Sequence, residues 1–368
     1  MMLSNAEIER YSRHLKLPQV GTAGQARLKQ ASVLVVGCGG LGSPVAMYLA
    51  AAGVGLIALL DEDVVDLSNL HRQIVHFSDD VGLPKVQSAA AKLRAINPEI
   101  QVVPLQAALI VENADKYIGA YDFIVDCTDN FSTRYLINDV AVAHRKPVVF
   151  GSVFRFEGQV SVFGFNSGPC YRCLFPTRPS EAQSCVEGGV LGVLPGMVGT
   201  MQANEVLKLI LNAGSPLSGT VLSFNALEMR FDRLEVEQDP QCRTCGNDPL
   251  AFDSAEYDNY CSATAFSDKQ VAPETVQKWK EYGYGLLDVR TTDEFNSGHI
   301  AGAVNSPLDE LKAGRLPSRA KWIVYCKSGV RSANAYKILS ENGFDDALTL
   351  AGGLLAWRDK IDSKVFVQ

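Results

Sequence analysis

Val33-Leu34-Val35-Val36-Gly37-Cys38-Gly39-Gly40-Leu41-Gly42 decides the fold of the larger part of this chain. Four apolar residues in succession read as a strand buried on both faces, and the glycines behind them form a Gly-x-Gly-x-x-Gly turn. A helix is expected over residues 44–52 and a second strand over Leu56 to Leu60, closing on Asp61. Glycines let a backbone come close to phosphates, a helix amino end supplies N–H groups, and an acid ending the next strand suits ribose hydroxyls. A dehydrogenase using NAD would carry the same elements, so the residues beyond Asp61 have to decide.

Ser68-Asn69-Leu70-His71-Arg72-Gln73 comes soon after Asp61-Glu62-Asp63, and Lys85 follows Gly82-Leu83-Pro84. Two further cations and an asparagine suit a triphosphate whose charge must be neutralised while pyrophosphate leaves. Asp126-Cys127-Thr128-Asp129-Asn130 ends another strand at the same sheet edge, where Asp129 would hold a magnesium ion bridging phosphates. This set resembles the MoeB/ThiF family, bacterial relatives of ubiquitin-activating enzymes, from about residue 4 to residue 246. The resemblance implies ATP binding by Gly40, Asp61, Ser68, Asn69, Leu70, His71, Arg72, Lys85, Asp129 and Asn130. It also implies a homodimer in which Arg13 reaches the other subunit's nucleotide. The competing reading of Arg13, Arg72 and Lys85 is solvated surface charge.

Working outward, strands at residues 101–103, 123–126 and 147–150 alternate with helices at 84–96 and 133–144. Such alternation gives a mostly parallel, Rossmann-like sheet covered on both faces. Beyond Gly151 the pattern becomes hairpin-like, a helix is expected at residues 199–211, and antiparallel strands at 219–224 and 229–234 extend the sheet. Ser4 and Glu7 fit a capping box at the start of the first helix. A polar, acidic, aperiodic stretch at residues 248–267 reads as a linker between a domain at 1–247 and another at 268–368.

Two Cys-x-x-Cys pairs, Cys170/Cys173 and Cys242/Cys245, match a tetrahedral structural zinc that pins two distant segments together. Disulfides and a catalytic zinc are the alternatives, and the resemblance to the family again favours the structural site. Cys185 lies in an aperiodic, Gly-flanked stretch, at a position where family members form a covalent adduct with a carrier protein. Its bland reading is a loop thiol without an essential part. Cys127 reads as inert packing, and Cys38 and Cys261 have no evident role.

Near the carboxyl end, Trp322-Ile323-Val324-Tyr325 leads into Cys326-Lys327-Ser328-Gly329-Val330-Arg331 and then a helix over residues 332–339. A cysteine leaving a buried strand at a helix start meets backbone N–H groups and a positive dipole end, which favour a thiolate. With Asp288-Val289-Arg290, Glu294-Phe295 and residues 298–303, this loop resembles a single-domain rhodanese. The resemblance implies sulfur carried as a persulfide on Cys326. A phosphatase loop would be Cys-x5-Arg; here the arginine stands one residue closer, so the donor ring is expected to close more tightly. His299 is expected to support the turn before it, while His71, His76 and His144 read as structural or surface residues.

The chain has 368 residues, 47% hydrophobic and 20% charged, which accommodates two ordinary globular domains. A net charge of −7 without a basic block argues against nucleic acid as a partner. The longest apolar run, residues 45–60, contains Gly53 and Gly55 and is short for a membrane span. The amino terminus lacks a signal-peptide pattern, and nine cysteines without an export signal point to a reducing cytoplasm. Together the two resemblances imply that the chain adenylylates the Gly-Gly carboxyl end of a ubiquitin-like sulfur carrier protein. A persulfide on Cys326, charged by a desulfurase or by thiosulfate, would then convert that end to a thiocarboxylate. The carrier's destination stays open among molybdopterin, thiamine, tRNA thiolation, cysteine and secondary metabolites. A dehydrogenase, a conjugating enzyme keeping a thioester on Cys185, and a non-catalytic scaffold are the competing classes.

Overall fold

Strand β1 (Ser32–Val36) is buried along nearly its whole length, as a run of branched apolar residues requires, and it sits near the middle of the larger sheet. The computed structural model describes residues 3–177, 189–249, 269–318, 321–365 and 367. The chain divides into two compact units, Met1–Tyr257 and Asp258–Gln368. From residue 250 on, the expected linker lies outside the described residues.

In the first unit, β1 pairs in parallel with β2 (Leu56–Leu60) and β4 (Phe123–Asp126), while β3 (Gln101–Leu105) and β5 (Val148–Phe154) complete the parallel part. Then β6 (Glu157–Phe163), β7 (Thr220–Asn225) and β8 (Arg230–Glu235) add on antiparallel. The order is β3-β2-β1-β4-β5-β6-β7-β8, and the last strand is exposed along its whole length. The helices Gly42–Ala52 and Val193–Leu211 lie on one another over this sheet, with Leu49, Val45, Val198, Val206 and Phe224 excluded from solvent. Each such side chain contributes about 1.5–3 kcal/mol by leaving water. The capping box expected at Ser4 is present: Ser4 Oγ accepts from Glu7 N, and Glu7 Oε2 accepts from Ser4 N.

The helix expected from residue 199 begins at Val193. Pro195 stands in its first turn, where a missing N–H costs no intrahelical bond. Gly199 is no helix breaker but a contact point: a Cβ there would come within 2.4 Å of the Leu41 carbonyl.

The second unit is a wholly parallel sheet in the order β11-β10-β12-β13-β9, formed by Ala303–Asn305, Gly285–Asp288, Trp322–Tyr325, Leu348–Leu350 and Gln270–Val271. Both faces are covered, with Leu287 and Val324 packed in one cluster and Leu286, Ile323 and Tyr325 in the other. Among the described residues no helix is long and apolar enough to cross a membrane.

Gly55 joins the helix Gly42–Ala52 to β2, and a Cβ there would lie 1.8 Å from the Lys29 carbonyl oxygen. Gly55→Ala is expected to cost about 2–3 kcal/mol by forcing backbone apart. Gly82→Ala meets no atom within 4 Å; its left-handed backbone alone should cost about 1 kcal/mol. Denaturant unfolding of the two variants checks this order, and equal costs would refute it.

Candidate functional site

The carboxyl ends of the parallel strands build the first site. Gly37 adopts φ +95°, and a Cβ on it would sit 2.7 Å from the Cys127 carbonyl oxygen. At Gly42 a Cβ would stand 2.0 Å from the Gly37 carbonyl oxygen, and at Gly40 2.9 Å from Pro195 Cβ. The loop is therefore closed on itself and on β4 by backbone contacts that admit no side chain. Asp61 fastens it: Oδ2 accepts from Cys38 N at 2.7 Å and Oδ1 from Asp63 N at 2.9 Å.

Lys85 is buried at the start of the helix Lys85–Ile96 and pairs with exposed Asp63 at 2.7 Å. Ser68 and Asn69 form a short helical turn with Leu67; Asp66 Oδ1 accepts from Ser68 N at 2.8 Å, and Asn69 Oδ1 accepts from Asp66 N at 3.3 Å. Leu70 ends this turn. Arg72 folds back on it, Nη1 donating to the Ser68 carbonyl at 3.1 Å, beside the exposed ring of His71. Asp129 and Asn130 are exposed after β4, with Asn130 Oδ1 capping the next helix by accepting from Thr133 N at 2.9 Å. Arg13 is exposed on the helix Ser12–Leu15. Three carboxylates crowd the strand end, and burial, then the charges of Asp63 and Asp61, push the Glu62 carboxyl up. A cation would relieve that repulsion.

Several residues singled out in the sequence are structural. His76 is buried between Ser88 Oγ (2.8 Å) and the Cys38 carbonyl (3.0 Å), and burial pushes its pKa down, keeping it neutral. Cys38 and Cys127 are buried, and burial pushes both thiols well up, so neither is a ready nucleophile. His144 pairs with Asp115 at 2.7 Å.

The four cysteines of the two Cys-x-x-Cys pairs come together, with all four Sγ atoms within 4.8 Å of one another. Cys170 and Cys242 are 3.6 Å apart, and Cys173 and Cys245 3.4 Å. A tetrahedron with metal–sulfur bonds near 2.3 Å has edges of about 3.8 Å, so the donor set fits a thiophilic metal ion. The pairs are anchored on the helix Phe131–Ala143, where Asn138 Oδ1 accepts from Tyr171 N and Asp139 receives both Arg172 and Thr244. Cys185 lies outside the described residues.

The second site follows β12. Cys326 is buried, and Gly329, itself at φ +107°, donates its N–H to Sγ at 3.2 Å. Ser332 Oγ lies 3.8 Å from the same sulfur and donates to the Gly329 carbonyl. Lys327 is half-buried and Ser328 exposed; the helix Val330–Glu341 begins directly behind them. The loop's other side is held by Leu354 N on the Cys326 carbonyl (2.8 Å) and Leu355 N on that of Lys327 (3.1 Å). The Arg331 guanidinium is gripped by Glu294 through bonds of 2.6 and 2.7 Å. Burial pushes the Glu294 carboxyl up, but Arg331 and the Thr291 N–H outweigh it and bring the pKa to about 2. His299 stacks on Phe295 and bonds its carbonyl at 2.9 Å, as its expected role in the preceding turn requires.

Sequence reasoning missed Asn138, Asp139 and Gln202. Gln202 is fully buried and donates to the Asp126 and Val149 carbonyls, tying β4 to β5 beneath the site. Gly151 makes room for it, since a Cβ there would be 2.3 Å from its amide carbon. A lone glutamine in a long apolar helix was the available signal.

Comparison with known proteins agrees with this geometry. The ThiF family model matches residues 11–244, and a rhodanese-like domain model matches residues 272–360. A probable adenylyltransferase/sulfurtransferase MoeZ of Mycobacterium tuberculosis is 43% identical, covering 96% of this chain and 94% of that protein. The adenylyltransferase and sulfurtransferase MOCS3 of Sus scrofa is 41% identical, over 98% and 87%. Crystal structures of E. coli MccB share the fold, one with TM-score 0.59 at 23% identity over 66% of this chain and 76% of that one. These matches define an enzyme of adenylyl transfer joined to sulfur transfer. The chain belongs to the ThiF family, with a rhodanese-like domain at its carboxyl end.

All three tryptophans, Trp279, Trp322 and Trp357, lie in the second unit, so their fluorescence reads that unit alone within the intact chain. Because the Glu294 pKa is depressed to about 2, its pairing stabilises at neutral pH and is lost as pH falls from about 4 toward 2. Glu294→Gln should remove about 1 kcal/mol at pH 7, allowing for solvent screening. It should also flatten the acid loss of stability between those pH values, seen as the denaturant midpoint of tryptophan emission. Parallel acid profiles for both proteins would dismiss the pair's contribution.

Proposed function

We propose that the chain activates the terminal carboxylate of a ubiquitin-fold sulfur carrier with ATP and then converts it to a thiocarboxylate. The observation that carries this reading is the Cys326 thiol held by a backbone N–H on the same chain as a glycine loop closed for phosphate. One site makes an acyl group reactive, and the other holds sulfur in a form that attacks acyl groups. Domains of 1–247 and 268–368 would carry the two halves.

In the first half, the loop with Gly40 and Asp61 receives the nucleotide, while Ser68, Asn69, Leu70 and His71 line it. The carrier carboxylate attacks the α-phosphorus, the bond to the β-phosphate oxygen breaks, and pyrophosphate leaves. Lys85 and Arg72 neutralise the charge that develops. Both are held by weak or exchangeable partners, an exposed Asp63 and a carbonyl, and can turn to phosphate without large rearrangement. Asp129, with Asn130 beside it, would hold magnesium, which supplies charge neutralisation on the phosphates. Arg13, exposed on the amino-terminal helix, would serve the partner subunit of a homodimer.

In the second half, residues 326–331 hold a persulfide on Cys326, loaded by a desulfurase or from thiosulfate. Its terminal sulfur attacks the acyl-adenylate carbon and expels AMP, giving an acyl disulfide on Cys326. The Cys185 thiolate then attacks the Cys326 sulfur and releases the carrier thiocarboxylate. The resulting disulfide returns to thiols through an external thiol reductant. We infer that Cys170, Cys173, Cys242 and Cys245 would hold zinc, which four thiolates in two pairs match, and that the site is structural, because no ligand position is left open for chemistry. We place the chain in the cytoplasm on the strength of its reduced thiol chemistry.

Two measurements test this. Intact mass of a candidate carrier after incubation with ATP and thiosulfate should show replacement of a terminal oxygen by sulfur. Cys326→Ala should abolish that change yet keep ATP–pyrophosphate exchange; undiminished thiocarboxylate would end the persulfide role. Asp129→Asn should lower exchange by about a hundredfold or more. Exchange unchanged in that variant would remove Asp129 from the reaction.

A further inference from the structure

The four-cysteine cluster and the nucleotide edge share one helix, Phe131–Ala143, the cluster bonded to its middle and the edge to its amino end. At the middle of the helix, Asp139 gathers both cysteine pairs. Arg172, between Cys170 and Cys173, donates Nε to Oδ1 at 2.8 Å and Nη2 to Oδ2 at 2.7 Å. Thr244, between Cys242 and Cys245, donates Oγ1 to Oδ1 at 3.0 Å. Asn138 Oδ1 accepts from Tyr171 N at 2.7 Å, and Tyr135 Oη donates to the Phe175 carbonyl at 2.9 Å. The ion pair is largely enclosed, with side-chain exposures of 4% for Arg172 and 11% for Asp139.

At its amino end the same helix brackets Asp129. The residue before it, Thr128, gives its carbonyl to Arg134 Nη2 at 2.8 Å, and the residue after it, Asn130, caps Thr133 N at 2.9 Å. Arg134 is itself buried, its guanidinium over the rings of Phe131 and Phe150. Asp129 thus lies between two residues that are each bonded to this helix. Asp139 stands nine positions after Asn130, about 13.5 Å along the helix at 1.5 Å per residue.

We propose that the four-thiol cluster is a positioning device for the nucleotide edge, acting through Asp139 and the helix Phe131–Ala143 on Asp129. Asp139 is a positioning residue that touches no nucleotide; it sets where the helix amino end stands. Closing the two cysteine pairs on one metal fixes Arg172 and Thr244 together and so clamps Asp139. With the pairs apart, the helix keeps its core contacts but loses the clamp, and the loop at residues 128–130 gains freedom. The effect on ATP rests on the adenylylation reading; the effect on the loop does not.

The test uses the intact chain with Asp139→Asn and, as a milder change, Thr244→Val. Both should retain their bound zinc by metal analysis. Hydrogen exchange should quicken at the amides of residues 128–134 while those of β1 and β2 keep wild-type rates. The KM for ATP in pyrophosphate exchange should rise about tenfold in Asp139→Asn and less in Thr244→Val, with kcat little changed. Chelated wild-type protein should match Asp139→Asn, and chelation of that variant should add nothing. Unaltered exchange at residues 128–134 in the variants and in the chelated protein overturns the proposal, as does a rise spread evenly over the unit. If Asp139→Asn does not fold, Thr244→Val decides alone. Wild-type protein without any ATP–pyrophosphate exchange would defeat the adenylylation reading, and hydrogen exchange would still judge the clamp.

Discussion

Backbone pressed on backbone at residues 37–42 is the constraint on which the first unit depends. The Gly37 carbonyl leaves no room for a methyl group at Gly42, and the Cys127 carbonyl leaves none at Gly37. Only glycine permits the helix Gly42–Ala52 to start this close to β1, and that closeness aims its amino end along the edge where β2 and β4 finish. Asp61 follows β2 and is bonded to this loop through Cys38 N, while Asp129 lies just beyond β4. Gly199 extends the constraint outward, letting a second helix settle on the loop. Close helix packing and the shape of the strand-end loop thus have one cause.

The second unit solves a similar problem with different means. There the loop after β12 is shaped by Gly329 in a left-handed conformation and held from behind by the backbone of Leu354 and Leu355. Its sulfur accepts from the Gly329 N–H, while the nearby Arg331 is engaged with Glu294. Asp288 and Arg290, both fully enclosed, fix the neighbouring strand end through bonds to each other and to the Gly298 carbonyl. Paired charges in such a place secure geometry more than stability.

What could be read from the sequence was whatever is local. The run at residues 33–36, the glycine spacing, the Cys-x-x-Cys pairs and Cys326 after four apolar residues each announce themselves within a dozen positions. The mostly parallel sheet with its antiparallel extension was legible too, because periodicity is a local property. Partnerships across long separations were illegible: Glu294 with Arg331, Asp139 with Thr244, and Gln202 with the carbonyls of two strands. The start of the helix Val193–Leu211 was placed six residues late for the same reason, since the approach of Gly199 to the Leu41 carbonyl is a contact across a long separation. The Glu294 partner of Arg331 could not be foreseen because a cation's partner is chosen by the fold and not by its spacing from a cysteine.

Strand β8 closes the larger sheet with an open border, exposed throughout and carrying Phe231 and Leu234 among Arg230, Asp232, Arg233 and Glu235. An uncovered strand invites pairing with another like itself, and interspersed charges are the usual deterrent. That deterrent acts through solvent, where its reach shrinks from about 8 Å at physiological ionic strength to about 3 Å in molar salt. Concentrated electrolyte therefore strips the guard while leaving the apolar residues in place, and it is under those conditions that chains of this kind would begin to stick together.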